Sequence, residues 1–131
     1  MLGINLEFAR LLLQKGANVV FADLSLRPEA QDLVNAHQSG TPRAVFQETN
    51  VTDWTQLSQM FNAVYQVFGS VDIVCPGAGI YEPPFSSFWH PPGPNSPSKY
   101  SPEGGRYTLL DINLTPSNPR HAARYFAFLG C

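Results

Sequence analysis

Of all the stretches in the chain, Gly16-Ala17-Asn18-Val19-Val20-Phe21-Ala22-Asp23-Leu24 most narrows what it can fold into. A helix-stopping glycine leads into an apolar run with a β-branched pair, and the run closes on a single acid. That is the pattern of a buried strand with one carboxylate at its tip. In doubly wound α/β sheets ligands bind beyond the carboxyl ends of the strands, which makes Asp23 the first candidate site residue.

The flanking residues supply helices and further strands. Leu6, Ala9 and Leu13, with Phe8 and Leu12 beside them, keep helical spacing, and Lys15-Gly16 is a C-terminal signal, so a helix opens at or near Met1. Pro28 suits the first turn of a second helix, running through Leu33 and Val34 and stopping before Gly40. Ala44-Val45-Phe46-Gln47 reads as a short strand. Asp53 with Gln56 three residues on resembles a capping box, and Trp54, Leu57, Phe61, Val64 and Phe68 follow at helical intervals up to Gly69. Val71-Asp72-Ile73-Val74-Cys75 then reads as a third strand running into Pro76-Gly77-Ala78-Gly79. Strands separated by helices imply a parallel sheet with right-handed crossovers.

Beyond Ile80 the character changes. Seven of the 12 prolines fall between Pro83 and Pro102, so no helix or central strand can persist there. Residues 83–106 therefore read as a Pro-rich loop or disordered insert. Within it, Pro91-Pro92-Gly93-Pro94 could serve as a proline-rich ligand but lacks a flanking basic residue. Order is expected to resume over Tyr107–Leu114, followed after Pro116 and Pro119 by a short amphipathic end, His121 to Leu129.

Composition narrows the partners. A chain of 131 residues suits one domain, and a formal net charge of −2 leaves no basic footprint for nucleic acid or anionic lipid. No apolar run approaches the ~20 residues of a membrane span, and no signal-type core follows Met1, so the expected location is cytoplasmic. The spacing of Cys75, Cys131, His37, His90 and His121 matches no metal site or disulfide framework, and no metal is expected.

An acid about 20 residues after a glycine turn hydrogen-bonds the ribose hydroxyls of NAD, and Asp23 lies 20 residues after Gly3. Its charge would also repel the additional 2′-phosphate of NADP, so NAD is the implied cofactor. The alternative is that Asp23 only begins a loop.

In the order of these features the chain resembles the classical short-chain dehydrogenases/reductases. The resemblance is continuous over residues 2–82 and weaker over 107–114. It implies a partial Rossmann-like doubly wound parallel sheet, lacking the family's strand 1 and its C-terminal strands. Residues 1–82 would form a partial NAD-binding region and 107–131 a remnant around the family's fifth helix.

The family's phosphate loop, Thr-Gly-x-x-x-Gly-x-Gly, is represented only by Gly3-Ile4-Asn5, with Asn5 in place of the last glycine. By resemblance, Asp23 with Leu24 would hold the adenosine ribose and Asn50-Val51 would border the adenine, although the family usually has Asp where Asn50 stands. Cys75-Pro76-Gly77-Ala78-Gly79 takes the place of Val-Asn-Asn-Ala-Gly, so Pro76 and Gly77 replace two asparagines while Ala78 and Gly79 remain. Asn113 matches the asparagine that supports the proton relay. The family's Tyr-x-x-x-Lys pair is absent: Gly69, Phe85, Gly104, Asp111 and Leu129 stand four residues after the five tyrosines.

The resemblance thus implies an NAD-dependent oxidoreductase acting on a small-molecule alcohol or ketone, here truncated and catalytically impaired, with homo-oligomer formation possible. The alternatives are a nucleotide-binding or dimerising pseudoenzyme and an inactive gene remnant. In the family's strand order 3-2-1-4-5-6-7, the missing strand leaves Val19–Phe21 and Val71–Cys75 facing an empty slot, which they either leave open or close by pairing directly. An open apolar edge favours aggregation, so a marginal domain is expected.

Overall fold

The computed structural model describes residues 3–80, 85, 89–98, 100 and 108–113. Its elements in chain order are helix α1 (Ile4–Gln14), strand β1 (Val19–Asp23), helix α2 (Pro28–Ala36), strand β2 (Ala44–Glu48), helix α3 (Trp54–Phe68) and the short helix α4 (Thr108–Asn113).

Helix α1 buries Leu6, Ala9 and Leu13, the stripe expected from its spacing. It stops through a pair of backbone bonds: Gly16 N–H donates to the Leu13 carbonyl and Ala17 N–H to the Leu12 carbonyl, with Gly16 at φ +92°. This closing pattern needs a left-handed residue at its turn, which glycine adopts without a Cβ penalty. The chain is thereby delivered straight into β1. Asn18 then aligns the two strands, since its side-chain oxygen accepts the Arg43 N–H at 2.8 Å while Val19 N–H donates to the Arg43 carbonyl at 2.9 Å.

β1 and β2 pair in parallel, with Val19 opposite Ala44 and Asp23 opposite Glu48. Alternation along β1 divides the core into two layers. Val19 and Phe21 pack with Leu6, Ala9 and Leu13 of α1 and with Ala30, Leu33 and Val34 of α2. Val20 packs on the opposite face against Leu57, Met60, Phe61 and Val64 of α3. Helices thus cover both faces of a parallel sheet, the α/β arrangement expected of a partial Rossmann-like fold.

Helix α3 shows how its start is determined. Asp53 Oδ1 accepts the N–H groups of Thr55 and Gln56 at 2.8 and 3.2 Å. In a capping box the side chain three residues on returns to the cap residue's own N–H. Here Asp53 N–H is already given to the Asn50 carbonyl, and Gln56 Oε1 reaches further back to accept Asn50 N–H at 2.8 Å. The cap therefore also closes the turn at Asn50. Asp53→Ala is expected to destabilise the protein by about 1–2 kcal/mol. Urea unfolding checks this as a lowered midpoint with an unchanged slope, and an unmoved midpoint would contradict it.

The expected third strand is not formed. Residues 70–80 carry no strand, although Val71 and Val74 pack against the α3 layer. A strand exists only through a backbone ladder, and the side of β1 turned away from β2 faces a cleft of about 550 Å³. Val19–Asp23 line one side of this cleft, Val74–Ile80 another, and Phe8, Ala9 and Leu12 of α1 a third. The slot therefore stays open. Val19 and Asp23 exchange bonds with the β2 side, so strand alternation turns the peptide groups of Val20 and Ala22 toward the cleft.

In the Pro-rich stretch the described residues 89–98 form bends and turns. Helix α4 begins where Thr108 N–H donates to the Tyr100 phenol oxygen at 2.9 Å. The expected amphipathic end, His121 to Leu129, lies outside the described residues. Among the described residues no helix is long and apolar enough to cross a membrane.

Candidate functional site

The cleft opens where β1 ends. Parallel strands leave their last peptide groups and first loop residues at this edge, so polar groups collect over an apolar floor. Phe8, Leu12, Val20 and Phe61 belong to that floor. Asp23, Leu24, Arg27 and Asn50 bring polar atoms from the β1 and β2 ends, and Gly77, Ala78 and Gly79 bound the cleft from the far side.

Asp23 is held by its own turn. Its Oδ1 accepts the Leu24 N–H at 2.8 Å, which fixes the carboxylate against the strand end. A carboxylate accepts hydrogen bonds at both oxygens and donates none, the chemistry that suits it to hydroxyl donors. Arg27 stands beyond it at the cap of α2, just before Pro28.

Asn50 is bound more tightly. Its Oδ1 accepts both the N–H and the hydroxyl of Thr52, at 3.0 and 2.8 Å, and its own N–H goes to Gln56. What its side chain offers the cleft is therefore the amide nitrogen, a donor suited to a ring-nitrogen or carbonyl acceptor. Val51 lines the cleft beside it and packs on the α3 layer.

The Pro76–Ile80 segment is clamped from two directions. On one side Asn113 of α4 pairs with the Ile80 peptide unit: Ile80 N–H donates to Asn113 Oδ1 at 2.8 Å, and Asn113 Nδ2 donates to the Ile80 carbonyl at 2.9 Å. The same Oδ1 lies 3.4 Å from where a Gly79 Cβ would stand. On the other side the Asn5 amide abuts Gly77.

Seven of the residues proposed from sequence thus share one cleft: Asp23, Leu24, Asn50, Val51, Gly77, Ala78 and Gly79. Gly3 and Ile4 stand at the exposed start of α1, with Ile4 87% exposed, and neither lines the cleft. The reason is helical geometry. Asn5, Phe8 and Ala9 share the inward face of α1, and Ile4 lies one step round the helix from it. Asn113 does not line the cleft either; its neighbour Ile112 does.

Sequence reasoning met Asn5 only as the altered end of the phosphate-loop remnant, and did not include Phe8, Arg27, Ile80 or Ile112 in the site. Helical periodicity could have found Phe8, and the Arg-Pro helix start could have found Arg27. Nothing local marks Ile80, whose role comes from a partner far along the chain.

A dinucleotide such as the sequence implies would meet these groups through its adenosine half. An acid at the strand end, an amide donor beside it and a glycine turn opposite match a ribose, an adenine edge and a closely approaching backbone. On those grounds the adenosine portion fits.

Residues 1–116 match a protein family described as short chain dehydrogenase. Among curated proteins, the chain is 36% identical over 81 residues to a cis-4-hydroxycyclohexanecarboxylate dehydrogenase from Sinomonas cyclohexanicum, a match covering 62% of this chain and 32% of that protein. It is 33% identical over 78 residues to a trihydroxynaphthalene reductase from Pestalotiopsis fici, covering 60% and 28%. It is also 34% identical over 80 residues to a galactitol 2-dehydrogenase from Agrobacterium fabrum, covering 61% and 30%. The matches thus span less than a third of each relative's length. No solved structure matches at a significant level.

Proposed function

The chain belongs to the short-chain dehydrogenase family, and on that premise we propose that its cleft binds the adenosine half of NAD in an oxidoreductase acting on a small alcohol or ketone. One observation carries the proposal: Asp23, Asn50 and the Gly77–Gly79 turn share a single cleft at the carboxyl end of β1. The dinucleotide, when bound, supplies or takes a hydride. The residues of this chain do the rest of what is assigned here. Asp23 accepts from the ribose hydroxyls, the Asn50 amide donates to the adenine edge, and the glycine turn admits the backbone close to the ligand. Asn113 acts on the Ile80 peptide and so positions that turn.

The choice of NAD over NADP rests on charge. A carboxylate beside the ribose 2′-position accepts a hydroxyl and repels a phosphate. Arg27 lines the same cleft and would favour the phosphate, but it stands exposed, where solvent weakens its attraction.

The substrate class comes from the relatives, which are named as dehydrogenases of a hydroxycyclohexanecarboxylate and of galactitol and as a reductase of trihydroxynaphthalene. A second reading of the same cleft is a nucleotide-binding module without turnover of its own.

Titration of the full chain with NADH and NADPH, followed by fluorescence, tests the binding both readings share. NADH is expected to bind about tenfold more tightly than NADPH, the effect of roughly 1.4 kcal/mol of differential interaction. Equal or tighter binding of NADPH contradicts the NAD assignment, and binding of neither contradicts the dinucleotide site. Oxidation of bound NADH on addition of a cyclic ketone separates the enzyme from the binding module.

A further inference from the structure

The contact between Asn5 and Gly77 joins the first turn of α1 to the Pro76–Gly79 segment, and both residues line the cleft. A Cβ on Gly77 would collide with Asn5 Nδ2 and would stand 2.9 Å from Asn5 Cγ and 3.6 Å from Oδ1. Carbon atoms do not approach that closely without something moving. The Asn5 amide therefore fills the space a side chain at position 77 would need.

We propose that Asn5 and Gly77 are a reciprocal pair in which only one position can carry a side chain, and that Asn5 is the positioning residue that sets the width of the cleft. The role in dinucleotide binding rests on the function proposed above; the packing relation does not. The backbone on either side is constrained. Asn5 sits in the first turn of a helix, Pro76 has a fixed φ, and Asn113 holds the peptide unit of Ile80. What can yield is the Asn5 side chain, and a methyl group at 77 drives its amide out of its seat into the space the ligand needs.

The test is a four-protein cycle on the full chain: wild type, Asn5→Gly, Gly77→Ala and the double variant, each measured for NADH affinity and for melting midpoint. Gly77→Ala is expected to weaken NADH binding about tenfold while lowering the midpoint by roughly 5 °C, the scale of a modest overpacking. Adding Asn5→Gly removes the obstructing amide, so the double variant is expected to bind NADH within about threefold of wild type and to recover most of the midpoint.

A merely structural glycine would give a lower midpoint that Asn5→Gly cannot rescue. Additive losses in the double variant overturn the pair, as does a Gly77→Ala protein that melts and binds as wild type does. Should Gly77→Ala fail to fold, refolding of the double variant supports the pair, and its failure to fold overturns it. If wild type binds no NADH, the functional reading fails by itself, and the midpoints of the four proteins still decide whether the two residues are coupled.

Discussion

Phe21→Ala is expected to destabilise the protein by about 3–5 kcal/mol, enough to remove most of the stability of a small domain. Phe21 is 0% exposed at the centre of β1. It lies where the inward faces of α1 and α2 meet the sheet, in contact with the cluster formed by Leu13, Ala30 and Leu33 among others. With two strands in the sheet among the described residues, few neighbours can collapse into the vacated volume. The cost should therefore stand near the upper end for an aromatic truncation. Urea unfolding followed by circular dichroism would show a midpoint far below wild type or no cooperative transition. Ile4→Ser, at the 87% exposed residue beginning α1, serves as the comparison and should change stability by less than about 0.5 kcal/mol. Similar midpoints for the two variants would mean that the helices do not pack on β1 as described.

Asp23→Ala is expected to reduce NADH affinity by about 10- to 100-fold, the range for losing hydrogen bonds to an ionised acceptor. NADPH affinity should stay level or rise, because the carboxylate that repels the 2′-phosphate is gone and Arg27 remains in the cleft. The preference between the two dinucleotides should therefore collapse. Asp23 stands half-exposed at the end of its strand, so the melting midpoint should move by only a few degrees. An unchanged NADH affinity in a folded variant would show that Asp23 does not touch the ribose.

The lining of the cleft is legible in the sequence where its residues end a strand or follow closely on one. Asp23, Leu24, Asn50 and Val51 are of this kind, and they meet because parallel strands end on the same edge. Motif position points to Gly3 and Ile4, yet both stand exposed at the start of α1 while Asn5 turns to the cleft. The hydrogen bonds of Asn50 were equally hidden: an asparagine before Val-Thr-Asp reads as a ligand donor or as a turn former, and only the bonds to Thr52 show that its oxygen belongs to the turn.

By itself, then, the sequence determined α1, β1, α2, β2 and α3, because apolar period, Schellman glycine, helix-starting proline and capping aspartate act within a few residues of one another. Only the tertiary structure decided the fate of Val71–Cys75. Its residues favour a strand and its valines find the α3 layer, but a ladder needs a neighbour at about 4.8 Å, and here the neighbouring space is a cleft. The meeting of Asn5 with Gly77 and the pairing of Asn113 with Ile80 were likewise decided there, because contacts between distant segments depend on how layers stack and leave no periodic signal in the chain.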